Sequence, residues 1–294
     1  MNKIIFKGAA TAIITPFRDG EIDFEAFGKL IDWQIENGIS AIVVCGTTGE
    51  ASAMSTCEQL KCIEFAVERA DRRIPIIAGS GSNCTKKSIY LSQKASELGA
   101  DGLLVITPYY NKTSRDGLIK HFTEIADSVD KPILLYNVPS RTGMSIPLDV
   151  YQTLAEHKNI VGVKEASGNL SEIAMLSAVC GDKLAIYSGN DDQILPILSL
   201  GGIGVISVAS NIVPKSIQAV CDSFFSSELL GARKIQLELM DLISALFCEV
   251  NPIPVKHAMG LVGFCAGEIR APLTYPSEKS ALRIREALKK HGLI

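Results

Sequence analysis

The sequence predicts an α/β fold, a (β/α)8 barrel of the TIM type with a C-terminal helical extension. Short apolar segments rich in Ile and Val alternate with longer segments of helical periodicity, and eight such pairs fit within residues 1–225. Strands that are apolar on both faces are typical of a parallel sheet covered by helices. Eight βα units within that length are what a closed barrel requires.

The predicted elements follow one another closely along the chain. Strands are expected at residues 9–14, 41–45, 74–78, 102–106, 132–136, 160–164, 184–187 and 203–207. Helices are expected at residues 24–38, 55–70, 85–98, 116–128, 147–156, 170–180, 191–200 and 214–225. Asp23 is the expected N-cap of the first helix, and Ser55 with Glu58 forms a capping box for the second.

A doubly wound open sheet is the alternative architecture. It needs a glycine-rich turn after its first strand, in the pattern Gly-x-Gly-x-x-Gly. The nearest match, at residues 79–84, lacks the third glycine and follows the third strand. The barrel is therefore the better prediction.

The pattern changes after residue 225. Helices without strands are expected at residues 229–247, 253–262 and 278–290. We therefore divide the chain into a barrel that carries the active site, residues 1–225, and a helical extension packed on it, residues 226–294.

Composition and charge exclude several classes of function. The 294 residues are 47% hydrophobic, and the net charge of -3 comes from charges of both signs mixed along the chain. We therefore expect no nucleic-acid partner and no membrane partner. Four histidines lack metal-ligand spacing, so no metal site is expected. The eight cysteines include no Cys-x-x-Cys pair, and the N-terminus is unlike a signal or transit peptide. Together they indicate free thiols and a cytoplasmic protein.

The active site of such a barrel lies at the C-terminal ends of its strands. Hydroxyl side chains dominate the predicted ends, at Thr15, Thr47, Thr48, Ser80, Thr107, Tyr109, Tyr110, Tyr136, Ser188 and Ser207. Lys164 is the only lysine among them. A buried lysine is costly unless it is paired or reacts, and burial favours the neutral amine that a Schiff-base nucleophile must be. The alternative is a structural lysine bridged to a carboxylate.

Two loops near this lysine carry further candidate residues. The loop at residues 46–50 has paired threonines, Thr47 and Thr48, between glycines, and its N–H groups suit a small carboxylate. The segment at residues 136–143 offers a phenol, Tyr136, as a proton shuttle and Arg141 as a clamp for a second carboxylate. The alternatives are an ordinary βα turn, a core tyrosine and a solvated loop charge.

These motifs carry a resemblance to a known family. They read Gly-Thr-Thr-Gly-Glu at residues 46–50, Thr-Pro-Tyr-Tyr-Asn at 107–111, Tyr-Asn-Val-Pro-Ser-Arg-Thr-Gly at 136–143 and Val-Lys-Glu-Ala-Ser-Gly at 163–168. With them, the whole chain resembles the pyruvate-dependent class I aldolases and lyases, the N-acetylneuraminate lyase family. Val138 and the pair Arg141-Thr142 favour the branch that condenses pyruvate with aspartate semialdehyde in lysine biosynthesis.

The resemblance implies a role for each site residue. Lys164 is expected to form a Schiff base with pyruvate, so that no separate cofactor is needed. Thr47, Tyr136 and Tyr110 are expected to form a proton relay, with Tyr110 supplied by the neighbouring subunit of a homodimer or homotetramer. The remaining expected contacts are Thr47 and Thr48 to the pyruvate carboxylate, Arg141 to the semialdehyde carboxylate, and the backbone of Gly189 and Ile206 along the site.

The resemblance also implies a regulatory site for lysine, in a form that departs from the sensitive enzymes. The corresponding positions are Ala51, Ser52, Thr56, Gln59, Asn83, Lys87 and Tyr109. Sensitive relatives tend to have histidines at the positions of Thr56 and Gln59 and a glutamate at that of Lys87. Because a cation at Lys87 repels the ammonium groups of lysine, we expect weak or absent inhibition.

Two other functions remain open from the sequence. One is a pyruvate-dependent aldolase for a sugar acid on the same fold. The other is a non-catalytic barrel that binds a small anion at Gly189 and at the glycines of residues 201–204. The second leaves Lys164, Tyr136 and Arg141 without a role.

Overall fold

The computed structural model describes residues 4–294, and within them eight parallel strands close into a barrel. The strands are Gly8–Ala12, Ala41–Val44, Ile76–Gly79, Gly102–Ile106, Ile133–Asn137, Ile160–Glu165, Ala185–Ser188 and Gly204–Ser207. Each strand pairs with its neighbours in sequence, and the eighth closes on the first. The predicted fold class is confirmed, and all eight strands lie within two residues of their predicted positions.

Two layers of apolar packing hold the barrel. A smaller cluster fills the interior and includes Ala10, Val43, Leu134 and Ile206. A larger cluster lies between the strands and the surrounding helices. Each strand packs one face against the barrel interior and the other against the surrounding helices. This is why the strands are apolar on both sides.

The N-terminal end of the barrel is closed by aromatic side chains. The rings of Phe6 and Tyr187 stack at 4.3 Å, and the Tyr187 hydroxyl donates to the carbonyl of Phe6 at 2.6 Å. Tyr187 is fully buried. This end is therefore packed and hydrogen-bonded, which leaves the opposite end for chemistry.

The helices begin at the expected caps. They span Phe24–Glu36, Thr56–Ala70, Thr85–Glu97, Arg115–Asp127, Pro139–Thr142, Leu148–Leu154, Leu170–Cys180, Ile194–Ser199, Pro214–Phe225, Leu229–Glu238, Met240–Leu246, Ile253–Leu261 and Glu278–Lys290. Asp23 accepts from the N–H of Ala26, and Ser55 with Glu58 forms both bonds of the capping box. Both caps were predicted from the sequence.

Three features differ from the sequence prediction. A short hairpin, Phe17–Arg18 with Glu21–Ile22, follows the first strand. The four-residue helix Pro139–Thr142 follows the fifth strand. The single helix expected at residues 229–247 is interrupted at Leu239, although backbone hydrogen bonds continue through that residue in both directions. The interruption is thus a local distortion and not a loop.

The extension shares its core with the barrel. Buried side chains of its helices, including Leu242, Val255 and Leu288, belong to the same apolar cluster as the helices that surround the barrel. The connection between Met240–Leu246 and Ile253–Leu261 approaches the C-terminal ends of the strands, where Asn251 donates to Thr48. The extension therefore contacts the loop at residues 46–50 from outside the barrel.

Candidate active site

A cavity of about 420 Å³ opens at the C-terminal ends of the second to fifth strands. Its lining includes Thr47, Tyr109, Tyr136 and Arg141 from the predicted site. Lys164 pairs with Tyr136 on the neighbouring strand but is not itself in the lining, and neither are Thr48, Tyr110, Gly189 and Ile206. The cavity is where a barrel of this kind binds its substrate.

Lys164 is buried against an aromatic ring. Strand pairing places it directly beside Tyr136, and its Nζ lies 4.5 Å from the centre of the Tyr136 ring. Its residue is only 5% exposed, and among residues 4–294 no carboxylate lies within ion-pair distance of its Nζ. The interpretation of a structural lysine bridged to a carboxylate is therefore wrong. A face-on aromatic ring is a weak partner that leaves the amine available.

The neighbouring carboxylate, Glu165, faces away from the lysine and holds the strand ends together. It accepts from Asn137 Nδ2 at 2.9 Å, from the Tyr151 hydroxyl at 3.0 Å and from the Ser167 N–H at 2.7 Å. Burial, followed by the nearby Glu165, raises the pKa of Tyr151 well above its ordinary value. This network fixes the fifth and sixth strands, which carry Tyr136 and Lys164.

Asp191 is a second buried carboxylate near the lysine that the sequence did not single out. Its Oδ2 accepts from the N–H groups of Val208 and Ala209 at 3.0 and 2.9 Å, and its Oδ1 has no partner within residues 4–294. Burial raises the pKa of Asp191, while the Ser207 side chain, these two N–H donors and the charge of Lys164 act in the opposite direction. An aspartate that follows a strand end is a signal for such a residue, but its depth is visible only in the fold.

The loop at residues 46–50 is a tight turn in which some backbone N–H groups bond within the loop and others do not. The N–H groups of Gly49 and Glu50 donate to the carbonyls of Gly46 and Thr47 at 3.1 Å each. The N–H groups of Thr47 and Thr48 make no hydrogen bond within the described chain. Two amides of the loop are thus engaged within the turn, and those of Thr47 and Thr48 are among the donors left for an anion.

An ion pair buried beneath this loop anchors it to the extension. Glu50 adopts a left-handed backbone with φ of 55° and accepts from Lys256 Nζ at 2.6 Å, with both side chains at most 1% exposed. The N–H of Arg270 donates to the second oxygen of Glu50 at 3.0 Å. Burial, opposed by Glu50, lowers the pKa of Lys256. The sequence analysis did not anticipate this pairing across more than two hundred residues.

Arg141 lies on the cavity wall, within the short helix Pro139–Thr142. Its side chain is exposed, and its Nη2 donates to the carbonyl of Asn251 at 3.1 Å. One of its nitrogens is thus held by the backbone of the extension, and the rest of the guanidinium faces solvent. Such an arrangement can receive a carboxylate.

The two adjacent tyrosines of residues 109–110 point in different directions. Tyr109 lines the cavity, whereas Tyr110 is 92% exposed and has a left-handed backbone with φ of 70°. Within one chain Tyr110 is therefore separate from Tyr136. Gly189 donates to the carbonyl of Glu165 at 2.7 Å, and a Cβ there would lie 2.6 Å from that of Ala166, which explains the glycine.

The expected regulatory positions border the same cavity. Its outer lining includes Ala51, Ser52, Gln59 and Lys87 together with Tyr109, while Thr56 and Asn83 are outside the lining. Gln59 is already engaged, because its Nε2 donates to the carbonyls of Ala51 and Met54 at 2.7 and 3.2 Å.

Comparison with known proteins identifies the family. The model of the dihydrodipicolinate synthetase family matches residues 5–291. The chain belongs to this family. It is 52% identical over 290 residues to the 4-hydroxy-tetrahydrodipicolinate synthase of Caldicellulosiruptor bescii, covering 98% of each chain.

Solved structures of the family superimpose closely. The dihydrodipicolinate synthase of Aquifex aeolicus has a TM-score of 0.96 and 44% identity, covering 98% of this chain and 99% of that one. A structure described as a monomeric dihydrodipicolinate synthase variant has a TM-score of 0.97 and 41% identity, covering 99% of this chain and 98% of that one.

The described residues hold neither a metal-binding cluster nor a membrane-spanning helix. Across residues 4–294 there is no cluster of three or more His, Cys, Asp or Glu side chains that could hold a metal ion. The same part of the chain contains no helix long and apolar enough to cross a membrane.

Proposed function

We infer that this chain catalyses the 4-hydroxy-tetrahydrodipicolinate synthase reaction, the condensation of pyruvate with aspartate semialdehyde in lysine biosynthesis. It is a lyase of the dihydrodipicolinate synthetase family. The observation that carries the inference is Lys164, a buried lysine without a carboxylate partner among residues 4–294, which lies against Tyr136 beside the cavity. Full-length similarity to enzymes of that name supports it.

The first half of the reaction joins Lys164 to pyruvate. The amine attacks the ketone carbon, and loss of water from the carbinolamine gives an imine. Loss of a proton from the pyruvate methyl group then gives an enamine. Tyr136 is adjacent to Lys164 and lines the cavity, so its phenol can carry protons between these intermediates, with Thr47 next in the relay. No separate cofactor takes part in this scheme.

The second half joins the enamine to the semialdehyde. The enamine carbon attacks the aldehyde carbon, and the amine of the semialdehyde then displaces Lys164 from the imine, which closes the ring and frees the enzyme. Arg141 holds the semialdehyde carboxylate, and the free N–H groups of Thr47 and Thr48 hold that of pyruvate. We propose that the backbone of Gly189 and Ile206 lines the site beside Lys164.

The relay also requires a second subunit. Tyr110 is 92% exposed on a left-handed turn, which is unfavourable for a large aromatic side chain without a partner surface. We propose that it inserts into the site of a neighbouring chain in a homodimer or a tetramer of two dimers. Because one relative is described as a monomeric variant, the assembly of this chain has to be measured. Sedimentation should show a dimer or tetramer. Y110F should lower kcat in the assembled enzyme.

Regulation by lysine is expected to be weak. Lys87 adds a cation to the outer part of the cavity, and Gln59 is occupied by two backbone carbonyls. Titration of activity with lysine should show no half-maximal inhibition below about 1 mM, a concentration that corresponds to weak binding. Half-maximal inhibition at lower concentrations would refute this expectation.

The state of the cysteines indicates the compartment. All eight cysteines are free, and Cys57 and Cys84 are exposed, which supports a reducing compartment such as the cytoplasm. We treat residues 1–225 as the barrel unit and residues 226–294 as an extension that completes the site through Asn251 and Lys256.

Substrate competition tests the proposed function. The purified enzyme should consume pyruvate with aspartate semialdehyde, and neither cleave N-acetylneuraminate nor condense pyruvate with sugar aldehydes at a comparable kcat/KM. Comparable turnover of a sugar acid would instead assign the chain to the other branch of the fold. Failure to condense pyruvate with any of these aldehydes would contradict both the synthase and the sugar-acid aldolase.

A further inference from the structure

Asn251 connects the two loops that would hold the substrate carboxylates. It lies in the connection between the helices Met240–Leu246 and Ile253–Leu261 and is 7% exposed. Its side-chain Nδ2 donates to Thr48 Oγ1 at 3.0 Å, and its backbone carbonyl accepts from Arg141 Nη2 at 3.1 Å. One residue of the extension thus contacts both Thr48 and Arg141.

The direction of the bond to Thr48 has a chemical consequence. A hydroxyl carries one proton and can accept while it donates. Because Thr48 Oγ1 accepts from Asn251, its own proton is free for another acceptor, and within residues 4–294 it makes no donated bond. The N–H groups of Thr47 and Thr48 are free as well. All three donors belong to adjacent residues and can serve a single anion.

Stability does not explain the amide of Asn251. Its Oδ1 is buried and has no partner in the described chain. An unpaired buried polar atom disfavours folding. The loop already has strong anchors elsewhere, in the Glu50–Lys256 ion pair and in the bond from Thr15 Oγ1 to the carbonyl of Gly49 at 2.7 Å.

We propose that Asn251 is a positioning residue for pyruvate, which sets Thr48 as a proton donor toward the pyruvate carboxylate. It acts through Thr48 and does not itself touch the reacting atoms. The inference rests on the proposed function, since it requires that the loop at residues 46–50 binds pyruvate.

Two substitutions separate this role from a packing role. N251A removes the amide donor, and we expect the KM for pyruvate to rise roughly 10-fold with a smaller change in kcat. N251D keeps the shape but introduces an acceptor for the Thr48 proton and a negative charge near the substrate anion. We expect it to raise the KM for pyruvate further, roughly 100-fold. If Asn251 only filled space, the isosteric N251D would be the milder variant.

A double-mutant cycle tests the coupling to Thr48. In the background of T48V, which has no hydroxyl to orient, N251A should cost less than about twofold in the KM for pyruvate. N159A is the matched control, because Asn159 donates to the carbonyls of Ala126 and Val129 at the opposite end of the barrel. It should lower Tm without a change in KM, whereas N251A should change KM with little change in Tm.

The outcomes distinguish this inference from the proposed function. If borohydride traps pyruvate on Lys164 in the wild-type enzyme but N251D has a nearly normal KM or is milder than N251A, the positioning role of Asn251 is wrong and the proposed function stands. Additive effects of T48V and N251A on the KM for pyruvate would also contradict the positioning role of Asn251. Absence of trapping in the wild-type enzyme would instead overturn the proposed function.

Discussion

Two lysines are buried within residues 4–294, and only one of them has an ion-pair partner there. Lys256 lies 4.0 Å over the ring of Phe17 and is paired with Glu50 at 2.6 Å. Lys164 lies 4.5 Å over the ring of Tyr136 and has no carboxylate within ion-pair distance in that part of the chain. Both amines face an aromatic ring, so the difference between them is the counter-ion. A paired lysine supports a loop, and an unpaired one at the open end of a barrel is available to react.

The largest effect should follow from removing the reactive lysine. K164M should lower kcat/KM for both substrates by roughly 10³-fold or more, because no other amine can form the imine. The Tm should be unchanged or higher, since a buried lysine without an ion pair among residues 4–294 is replaced by an apolar side chain of similar length. Steady-state kinetics and calorimetry check both. A large fall in Tm would indicate that Lys164 is a structural residue after all.

Removing the paired lysine should have the opposite pattern. K256M leaves the buried Glu50 carboxylate without its cation, although the N–H of Arg270 still donates to it, and should lower the free energy of unfolding by roughly 3–5 kcal/mol. The double variant E50Q/K256M should recover part of that loss, because neither charge remains. Denaturant unfolding with both variants is the measurement. Equal stability of K256M and wild type would show that the ion pair does not anchor the loop.

The contribution of the aromatic partner should be intermediate. Y136F keeps the ring against Lys164 and removes the phenol, so we expect kcat to fall roughly 10²-fold with the KM for pyruvate little changed. Lys256 already has this arrangement, because it lies over the ring of Phe17, which has no hydroxyl. A kcat for Y136F near that of wild type would place the proton shuttle elsewhere.

The smallest effect should follow from removing the ion pair between Glu58 and Arg270. The N–H of Arg270 also donates to Glu50, the partner of Lys256. Arg270 donates to Glu58 at 2.6 Å, and this bond lowers the pKa of Glu58 from 4.5 to about 2. Because the folded pKa is depressed, the stabilisation is present above about pH 4.5 and is lost as the pH falls toward 2. E58Q should lower stability by about 1 kcal/mol or less at pH 7, and the difference from wild type should shrink at low pH. A difference that grows with acid would contradict this sign.

Much of the barrel could be predicted because its signals are local. Strands such as 102–106 are short apolar runs, and the capping box of Ser55 and Glu58 lies within four residues of sequence. The hairpin at residues 17–22 was missed because two-residue strands carry no periodicity. The motifs also predicted that Tyr136 and Lys164 would be neighbours, since they occupy corresponding ends of adjacent strands.

Other parts of the site depend on contacts that no local pattern contains. Asn251 reaches Thr48, and Lys256 reaches Glu50, across most of the chain. Their positions follow from how the extension packs on the barrel, which residue spacing does not specify. Tyr110 depends on a surface outside the chain itself, so its role stays a prediction.

Trapping with borohydride is the most direct test of the contrast between the two buried lysines. The wild-type enzyme would be incubated with pyruvate, reduced and digested, and its peptides would be mapped by mass spectrometry. We expect a reduced pyruvyl adduct on the peptide with Lys164 and none on the peptide with Lys256. An adduct on Lys256, or none on Lys164, would contradict it.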